Sequence, residues 1–336
     1  MKNRLAAVAA TFAVFVACSQ AADKVYVDVT RPDVASFVDE LVAQHDFQRD
    51  ALVAVLGKAE IKQSIVDRMT KPAEKKLTWG EYRGIFVTEE RIAAGANFWL
   101  ENREMLERIN AETGVPIEMI VGIVGVETYY GRITGKDRVI DALATLAFDY
   151  PPRAAFFRKE LREFLILARE EAIDATEPLG SYAGAMGRPQ FMPSSFRAYA
   201  VDATGDGKRD IWNDWADVAG SIANYFLEHG WRVGEEVTSQ ATLSNRWTGP
   251  APQAGNTLTA GSTVGTLSGK GVVFSTDLAA EAKSELLTYE GAGGTEYWVG
   301  FHNFFVITKY NRSVMYALAA HQLGQSVARE VATRAG

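Results

Sequence analysis

The chain is poor in the residues that many reaction types require. Cys18 is its one cysteine among 336 residues, which excludes an intramolecular disulfide and a cysteine-based zinc site. The four histidines, His45, His229, His302 and His321, lie far apart, and no HExxH pair occurs, so a zincin-type protease is excluded as well. Positive charge is short: 35 Lys and Arg stand against 42 Asp and Glu, a formal charge of −7. A general nucleic-acid binder needs a basic surface to displace counterions, and this balance argues against one. Past the amino terminus, no uncharged apolar stretch approaches the ~20 residues of a membrane span. What remains, 47% hydrophobic and 23% charged residues, is globular composition with enough length for two or three lobes.

The amino terminus reads as an export signal. Lys2 and Arg4 precede an uncharged run over residues 5–17, the length of a secretory core segment and too short to span a bilayer. Two processing readings stand side by side over residues 1–22. Ser19-Gln20-Ala21 suits cleavage to a soluble product, whereas Val16-Ala17-Cys18-Ser19 resembles a lipobox that would make Cys18 a lipid anchor. Both place the protein outside the cytoplasm.

The rest reads as a helical body with a late β-rich insert. Residues 32–71 carry apolar side chains at helical spacing, and Thr88-Glu89-Glu90 opens a helical pattern that runs to Gly114. Residues 117–128 are apolar on nearly every face, which predicts a buried helix. Residues 153–174 form a further amphipathic pattern. From 233 the texture turns to Gly, Ser and Thr with short alternating runs, and residues 297–310 are strand-like. Residues 313–332 return to helix.

Three segments carry chemistry. In Gly125-Val126-Glu127-Thr128-Tyr129-Tyr130-Gly131, a carboxyl group ends the most apolar helix. An unpaired carboxyl in apolar surroundings resists ionisation and can donate a proton near neutral pH; a structural reading makes it a cap or a partner of a buried arginine. Tyr129, Tyr130 and Gly131 suit a cleft wall. The block from Gly180 to Phe196 interleaves three glycines with Ser181, Tyr182, Gln190 and Phe191. Its glycines permit close approach to a ligand, and its neutral hydrogen-bonding groups suit sugars; a tight interhelical turn is the alternative. It is neither GxGxxG, nor a phosphate loop, nor a GxSxG elbow. The run Asp202-Ala203-Thr204-Gly205-Asp206-Gly207-Lys208-Arg209-Asp210 follows a calcium-loop rhythm, with Asn213 where the usual Glu would stand and Asp217 further on. An Asx-rich surface turn is the alternative there.

These segments occur together and in order with Trp79-Gly80-Glu81-Tyr82-Arg83, Asp141-Ala142-Leu143-Ala144-Thr145-Leu146, Ala223-Asn224-Tyr225-Phe226 and Tyr310-Asn311-Arg312-Ser313-Val314-Met315-Tyr316. In this the chain strongly resembles the lytic murein transglycosylase B group, glycoside hydrolase family 103, over almost its whole mature length. The resemblance implies a mainly α (α+β) fold with a lysozyme-like catalytic core, a helical lobe and a small β-rich lobe. The implied division is 23–115, 116–232 with the calcium loop at 202–217, 233–309, and a segment 310–336 that returns to the cleft. The implied reaction cleaves the β-1,4 bond between N-acetylmuramic acid and N-acetylglucosamine in peptidoglycan without water and leaves a 1,6-anhydro end. Glu127 would act as acid and then base. Tyr82, Arg153, Ser181, Gln190, Phe191, Tyr225, Tyr310, Asn311 and Tyr316 match cleft positions. Asp202, Thr204, Asp206, the Lys208 carbonyl and Asp217 match calcium ligands, the ion being structural and no cofactor serving the chemistry. The expected partner is the peptidoglycan glycan strand in the periplasm, met by a monomer that is soluble or anchored to the outer membrane. A hydrolytic muramidase, with a second carboxylate such as Asp149 or an acid after Glu160, and a non-catalytic peptidoglycan-binding scaffold are the competing readings.

Overall fold

A computed structural model describes residues 24–71 and 77–335. The signal segment and Cys18 lie outside the described residues. The amino-terminal lobe holds β1 (Val25–Tyr26), α1 (Pro32–His45), α2 (Arg49–Leu56), β2 (Glu60–Ile61) and α3 (Gln63–Thr70), with β1 and β2 paired antiparallel. The helical pattern over 32–71 is thus three helices. Asp46, left-handed at φ 55°, ends the first. Next come α4 (Trp79–Phe86), α5 (Glu89–Glu101) and α6 (Arg103–Thr113). Thr78 and Glu81 start α4 with a reciprocal capping box, and Thr88 caps α5 by accepting from the Arg91 amide. The single helix expected from Thr88 to Gly114 is broken at Asn102, whose side chain bonds back to the Phe98 carbonyl at 2.8 Å. An Asn competing for backbone hydrogen bonds is a weak break that apolar spacing does not reveal. Gly114, left-handed at φ 69°, ends α6 where the sequence placed a stop.

The centre is α7 (Ile117–Thr128), buried at almost every residue as its unbroken apolar surface requires. Around it lie α8 (Val139–Phe148), α9 (Ala154–Glu170), α10 (Pro193–Tyr199) and α11 (Trp215–Glu228), with β3 (Asp137–Arg138) paired antiparallel to β4 (Leu179–Gly180). Asp141, fully buried on α8, is held by Arg138 at 2.7 Å and Lys62 at 3.1 Å and accepts from the Glu60 amide at 2.9 Å. That knot fastens β2 of the amino-terminal lobe to the core.

The late insert is an antiparallel five-stranded sheet in the order β6-β8-β9-β5-β7. Its members are β5 (Thr238–Leu243), β6 (Ser262–Thr263), β7 (Val272–Val273), β8 (Lys283–Gly291) and β9 (Gly294–Phe301), with the short helix α12 (Val264–Gly269) after β6. It has its own small core of Ala241, Val264, Leu267, Val272, Val299 and Phe301. The strand expected over 297–310 stops at Phe301, and α13 (His302–Tyr310) follows. The segment from Asn303 to Thr308 is buried, and its centre, Phe304 to Ile307, is a continuous apolar run. Such a run does not separate a buried strand from a buried helix.

The last helix, α14 (Val314–Ala335), returns across the molecule and packs along α7, with α4 and α5 flanking it. Glycine makes this approach possible. A Cβ on Gly122 would stand 2.3 Å from the Ala320 carbonyl oxygen, and one on Gly324 would stand 2.0 Å from that of Glu118.

Candidate active site

Glu127 lies in the last turn of α7 and is half-buried. Desolvation pushes its pKa up to about 7, and a hydrogen bond from Tyr316 partly offsets that rise. The Tyr316 hydroxyl donates to Oε1 at 2.6 Å. Tyr316 comes from the first turn of α14, so the approach of α14 to α7 sets this contact. No carboxylate among the described residues contributes charge to the ionisation of Glu127.

The backbone after Glu127 is unusual. Tyr129 and Tyr130 are both left-handed, at φ 51° and 57°, and so is Gln190 at φ 54°. Such conformations in non-glycine residues concentrate at functional sites, where surrounding packing maintains them. Thr128 supplies part of that packing. Its hydroxyl donates to the Arg188 carbonyl at 3.0 Å and accepts from the Gly131 amide at 3.1 Å, tying the glycine-rich loop to the end of α7.

Within that loop Ser181 and Gln190 are fixed so that each keeps one free function. Ser181 Oγ accepts from the Ala183 and Ala185 amides at 3.3 and 3.1 Å, which leaves its proton to donate. Gln190 Nε2 donates to the Thr134 and Gly187 carbonyls at 3.0 and 2.8 Å, which leaves its oxygen to accept. Gly184, at φ 83°, is packed on Leu143 so closely that a Cβ would meet it at 2.3 Å.

An aromatic cluster forms the other side. Tyr310 stacks nearly parallel to Tyr316, at 6.5 Å and 11°, and lies 4.8 Å from Tyr225. The Tyr310 hydroxyl donates to the Pro189 carbonyl at 2.7 Å and the Tyr225 hydroxyl to that of Lys309 at 2.8 Å. Phe191 is buried and meets both rings, at 5.8 and 5.7 Å, so it supports them from beneath. Tyr82 reaches the site from α4. Burial and the Glu127 charge push its phenol up to about 12, so it is a neutral donor at working pH.

Two expected positions lie at the surface. Asn311 is exposed at the end of α13, not at the end of a strand. Arg153 is exposed, with its guanidinium 4.4 Å above Phe156 and 5.1 Å from Phe157, and no bond or ring contact joins it to the Glu127 group. Tyr130 does not form a cleft wall: it is buried against Phe98 at 5.7 Å. Arg91 carried no signal in the sequence. It spans 4.5 Å over Tyr129 and donates to the Gly125 carbonyl at 2.5 Å near the end of α7. Arg188 lies 4.0 Å over Trp215 and donates to the Asn213 carbonyl at 2.9 Å.

The candidate second carboxylates are all engaged elsewhere. Asp149 pairs with Arg31 at 2.6 Å. Buried Glu160 accepts from the Ser194 amide and hydroxyl at 2.9 and 2.8 Å at the start of α10. Glu163 and Glu170 hold Arg197, and Glu171 holds Arg209.

The 202–217 loop is shaped by its own amides. Asp202 accepts from Gly205 at 2.6 Å and Gly207 at 2.8 Å, and these bonds hold its carboxyl below its ordinary value. Asp206 accepts from Lys208 at 2.9 Å. Asp217, in the first turn of α11, is buried and takes the Ala203 and Asp210 amides at 2.8 and 2.7 Å. Its pKa is raised by desolvation first and then by the charges of Asp214 and Asp202. An all-oxygen donor set suits calcium. Among the described residues, however, no three Asp, Glu, His or Cys side chains converge to hold a metal.

A family model described as the transglycosylase SLT domain matches residues 30–325. The chain is 41% identical over 306 residues to membrane-bound lytic murein transglycosylase B of Escherichia coli (strain K12), covering 88% of this chain and 83% of that one. The chain belongs to the lytic transglycosylase family. Its structure matches that of the soluble lytic transglycosylase SltB1 from Pseudomonas aeruginosa with a TM-score of 0.83 at 49% identity, over 89% of this chain and 99% of that one. It also matches the Escherichia coli lytic transglycosylase Slt35 in complex with calcium, with a TM-score of 0.81 at 40% identity, over 92% and 97%. This lytic transglycosylase is a peptidoglycan-cleaving enzyme with the lysozyme-like fold that its sequence implied.

Proposed function

We propose that Glu127 is the single carboxyl group of the reaction, acting as acid and then base on the bond between N-acetylmuramic acid and N-acetylglucosamine. The observation that carries this is its isolation: it is desolvated, has a pKa near 7, and its hydrogen-bond partner is a tyrosine rather than a carboxylate. In the first step Glu127 gives its proton to the glycosidic oxygen while the bond from that oxygen to C1 breaks. In the second, the carboxylate takes the proton of the muramyl C6 hydroxyl as that oxygen bonds to C1, closing the 1,6-anhydro ring. Glu127 ends protonated and no water is consumed. A nucleophile held within the substrate needs no second carboxylate to activate it, unlike the paired acids of ordinary glycoside hydrolases. Tyr316 positions the carboxyl group through Oε1, leaving Oε2 to exchange the proton. Ser181 donates and Gln190 accepts toward the sugar, and Tyr82, Tyr225 and Tyr310 complete the cleft.

Calcium is the proposed occupant of the 202–217 loop, through Asp202, Thr204, Asp206, the Lys208 carbonyl and Asp217, as a brace with no part in a proton transfer. The calcium complex of the relative and the charge crowding around Asp217 support this. The 23–115, 116–232, 233–309 and 310–336 division is proposed as the working unit plan. Export to the periplasm, soluble or anchored through Cys18, follows from the signal-like segment.

Mass spectrometry of products released from purified sacculi tests the reaction. Anhydromuramyl products, one water lighter than hydrolysis products, are expected from the wild type. Glu127→Gln should lower their yield by about a hundredfold or more. Muramic acid reducing ends would establish attack by water and overturn the single-carboxyl reading.

A further inference from the structure

Arg188 stands in the glycine-rich loop between Gly187, left-handed at φ 62°, and Pro189. A Cβ on Gly187 would meet the Ile211 carbonyl oxygen at 2.6 Å, so glycine lets this turn lie directly on the end of the 202–217 loop. One residue makes three contacts across that seam. The Arg188 amide donates to the Ile211 carbonyl at 2.9 Å, Nη1 donates to the Asn213 carbonyl at 2.9 Å, and the guanidinium lies 4.0 Å over the Trp215 ring. None of these three partners belongs to the proposed calcium ligands.

Elsewhere this chain pairs partly buried arginines with carboxylates, as Arg197 and Arg209 show. Arg188 is partly buried and forms no ion pair among the described residues. Its nearest acids are spent on amides: Asp210 takes those of Trp212 and Asn213, and Asp214 those of Ala216 and Asp217. What Arg188 has instead is a fixed plane to lie on, which suits a flat guanidinium and not a compact ammonium. Trp215 meets Phe98 of α5 edge-on at 4.6 Å, and a Cβ on Gly131 would stand 3.1 Å from its ring. The plane is therefore set by α5 and by the turn that follows Glu127.

Two routes lead from this seam to Glu127. The Arg188 carbonyl accepts from the hydroxyl of Thr128, the residue after Glu127, at 3.0 Å. The Pro189 carbonyl accepts from the Tyr310 hydroxyl at 2.7 Å, the Tyr310 ring stacks on Tyr316, and Tyr316 donates to Glu127. We propose that Arg188 is a positioning residue for the reaction: it braces these two carbonyls against Trp215 and the end of the 202–217 loop, so that Tyr316 stays bonded to Glu127. It touches no reacting atom. Support of this kind keeps a reacting group within the small tolerance that catalysis allows. The inference rests on the reading of Glu127 as the acid.

The test is a double-mutant cycle of Arg188→Gln and Tyr316→Phe, assayed across pH on soluble glycan strands at a temperature where melting curves show each variant folded. Arg188→Gln should lower kcat by about tenfold. KM should change by less than about threefold, because Ser181 is anchored separately by the Ala183 and Ala185 amides. The alkaline limb of kcat/KM should move up by about half a pH unit, because the bond that favours the Glu127 carboxylate is loosened. In the Tyr316→Phe chain the same substitution should leave the limb in place. Arg188→Lys keeps the charge but not the plane, so its kcat should fall between the two, and it takes the place of the Gln variant if that one does not fold. An unchanged rate, a lower rate with an unmoved limb, an equal limb shift in both backgrounds, or full activity with Lys would overturn the proposal. A Glu127→Gln chain as fast as wild type would instead fail the reading of Glu127. The brace is then judged by the ring NMR signals of the tyrosines: Arg188→Gln should move Tyr310 and Tyr316 and leave Tyr26 and Tyr150 in place. Unmoved Tyr310 and Tyr316 signals sink it.

Discussion

At the scale of single residues, one proton on Glu127 links rate and stability. The folded chain binds it more tightly than the unfolded chain, with a pKa near 7 against an ordinary 4.5. Ionisation of Glu127 therefore opposes folding, from nothing below about pH 4.5 to at most about 3 kcal/mol above pH 7. Glu127→Gln should melt higher than wild type at pH 8, with the gap closing towards pH 5, as calorimetry across pH would show. The acid form starts the reaction, so wild-type kcat/KM should fall above about pH 7. Tyr316→Phe removes a bond that favours the carboxylate, so Glu127 should titrate higher and the alkaline limb should move to higher pH. Its rate should also drop about tenfold to a hundredfold. A lower rate with an unmoved limb would mean that Tyr316 acts on the sugar rather than on Glu127.

At the scale of elements, the site is a crossing of two helices. Alanine for glycine inside a helix normally stabilises by roughly 0.5–1 kcal/mol. At Gly122 and Gly324 the sign should reverse, because the new methyl would press on a backbone carbonyl of the facing helix. Gly324→Ala is expected to cost about 1–3 kcal/mol, read as a lower melting temperature, and to slow cleavage by displacing Tyr316. An unchanged melting temperature would mean that α14 shifts freely. The element scale is also where sequence patterning was strongest and weakest. The periodic helices, the α7 run and the caps at Thr88 and Gly114 were legible because each shows its burial or its ends in the residues themselves. The break at Asn102 and the helix at His302–Tyr310 were not, because a uniformly buried run has no face to reveal its period.

At the scale of the whole molecule, distant segments are fastened at a few points. These are the Asp141 knot, Tyr316 on Glu127, and the 202–217 loop drawn to α11 by Asp217. If calcium braces that loop, a chelator should lower the melting temperature by several degrees. A site filled at a hundredfold its Kd contributes about 2.7 kcal/mol, and a chain of this size moves by roughly 2–4 °C per kcal/mol. Cleavage well below the new melting point should be little changed. An unmoved melting curve with no co-purifying metal would remove calcium from the account.

What the sequence determined by itself is local. A carboxyl at the end of a wholly apolar helix must be desolvated, glycine and neutral polar residues in one loop must make a close polar surface, and alternating residues after position 233 must pair as strands. These follow from side-chain chemistry and spacing within a few residues. The tertiary structure alone decided the rest. Residues 189 positions apart meet as Tyr316 and Glu127. Tyr130 turns into the core while Tyr129 stacks beneath Arg91, and the acids near Glu160 are taken up by arginines. Such pairings depend on how elements cross, and a crossing is set by packing over the whole interface rather than by any one stretch of chain.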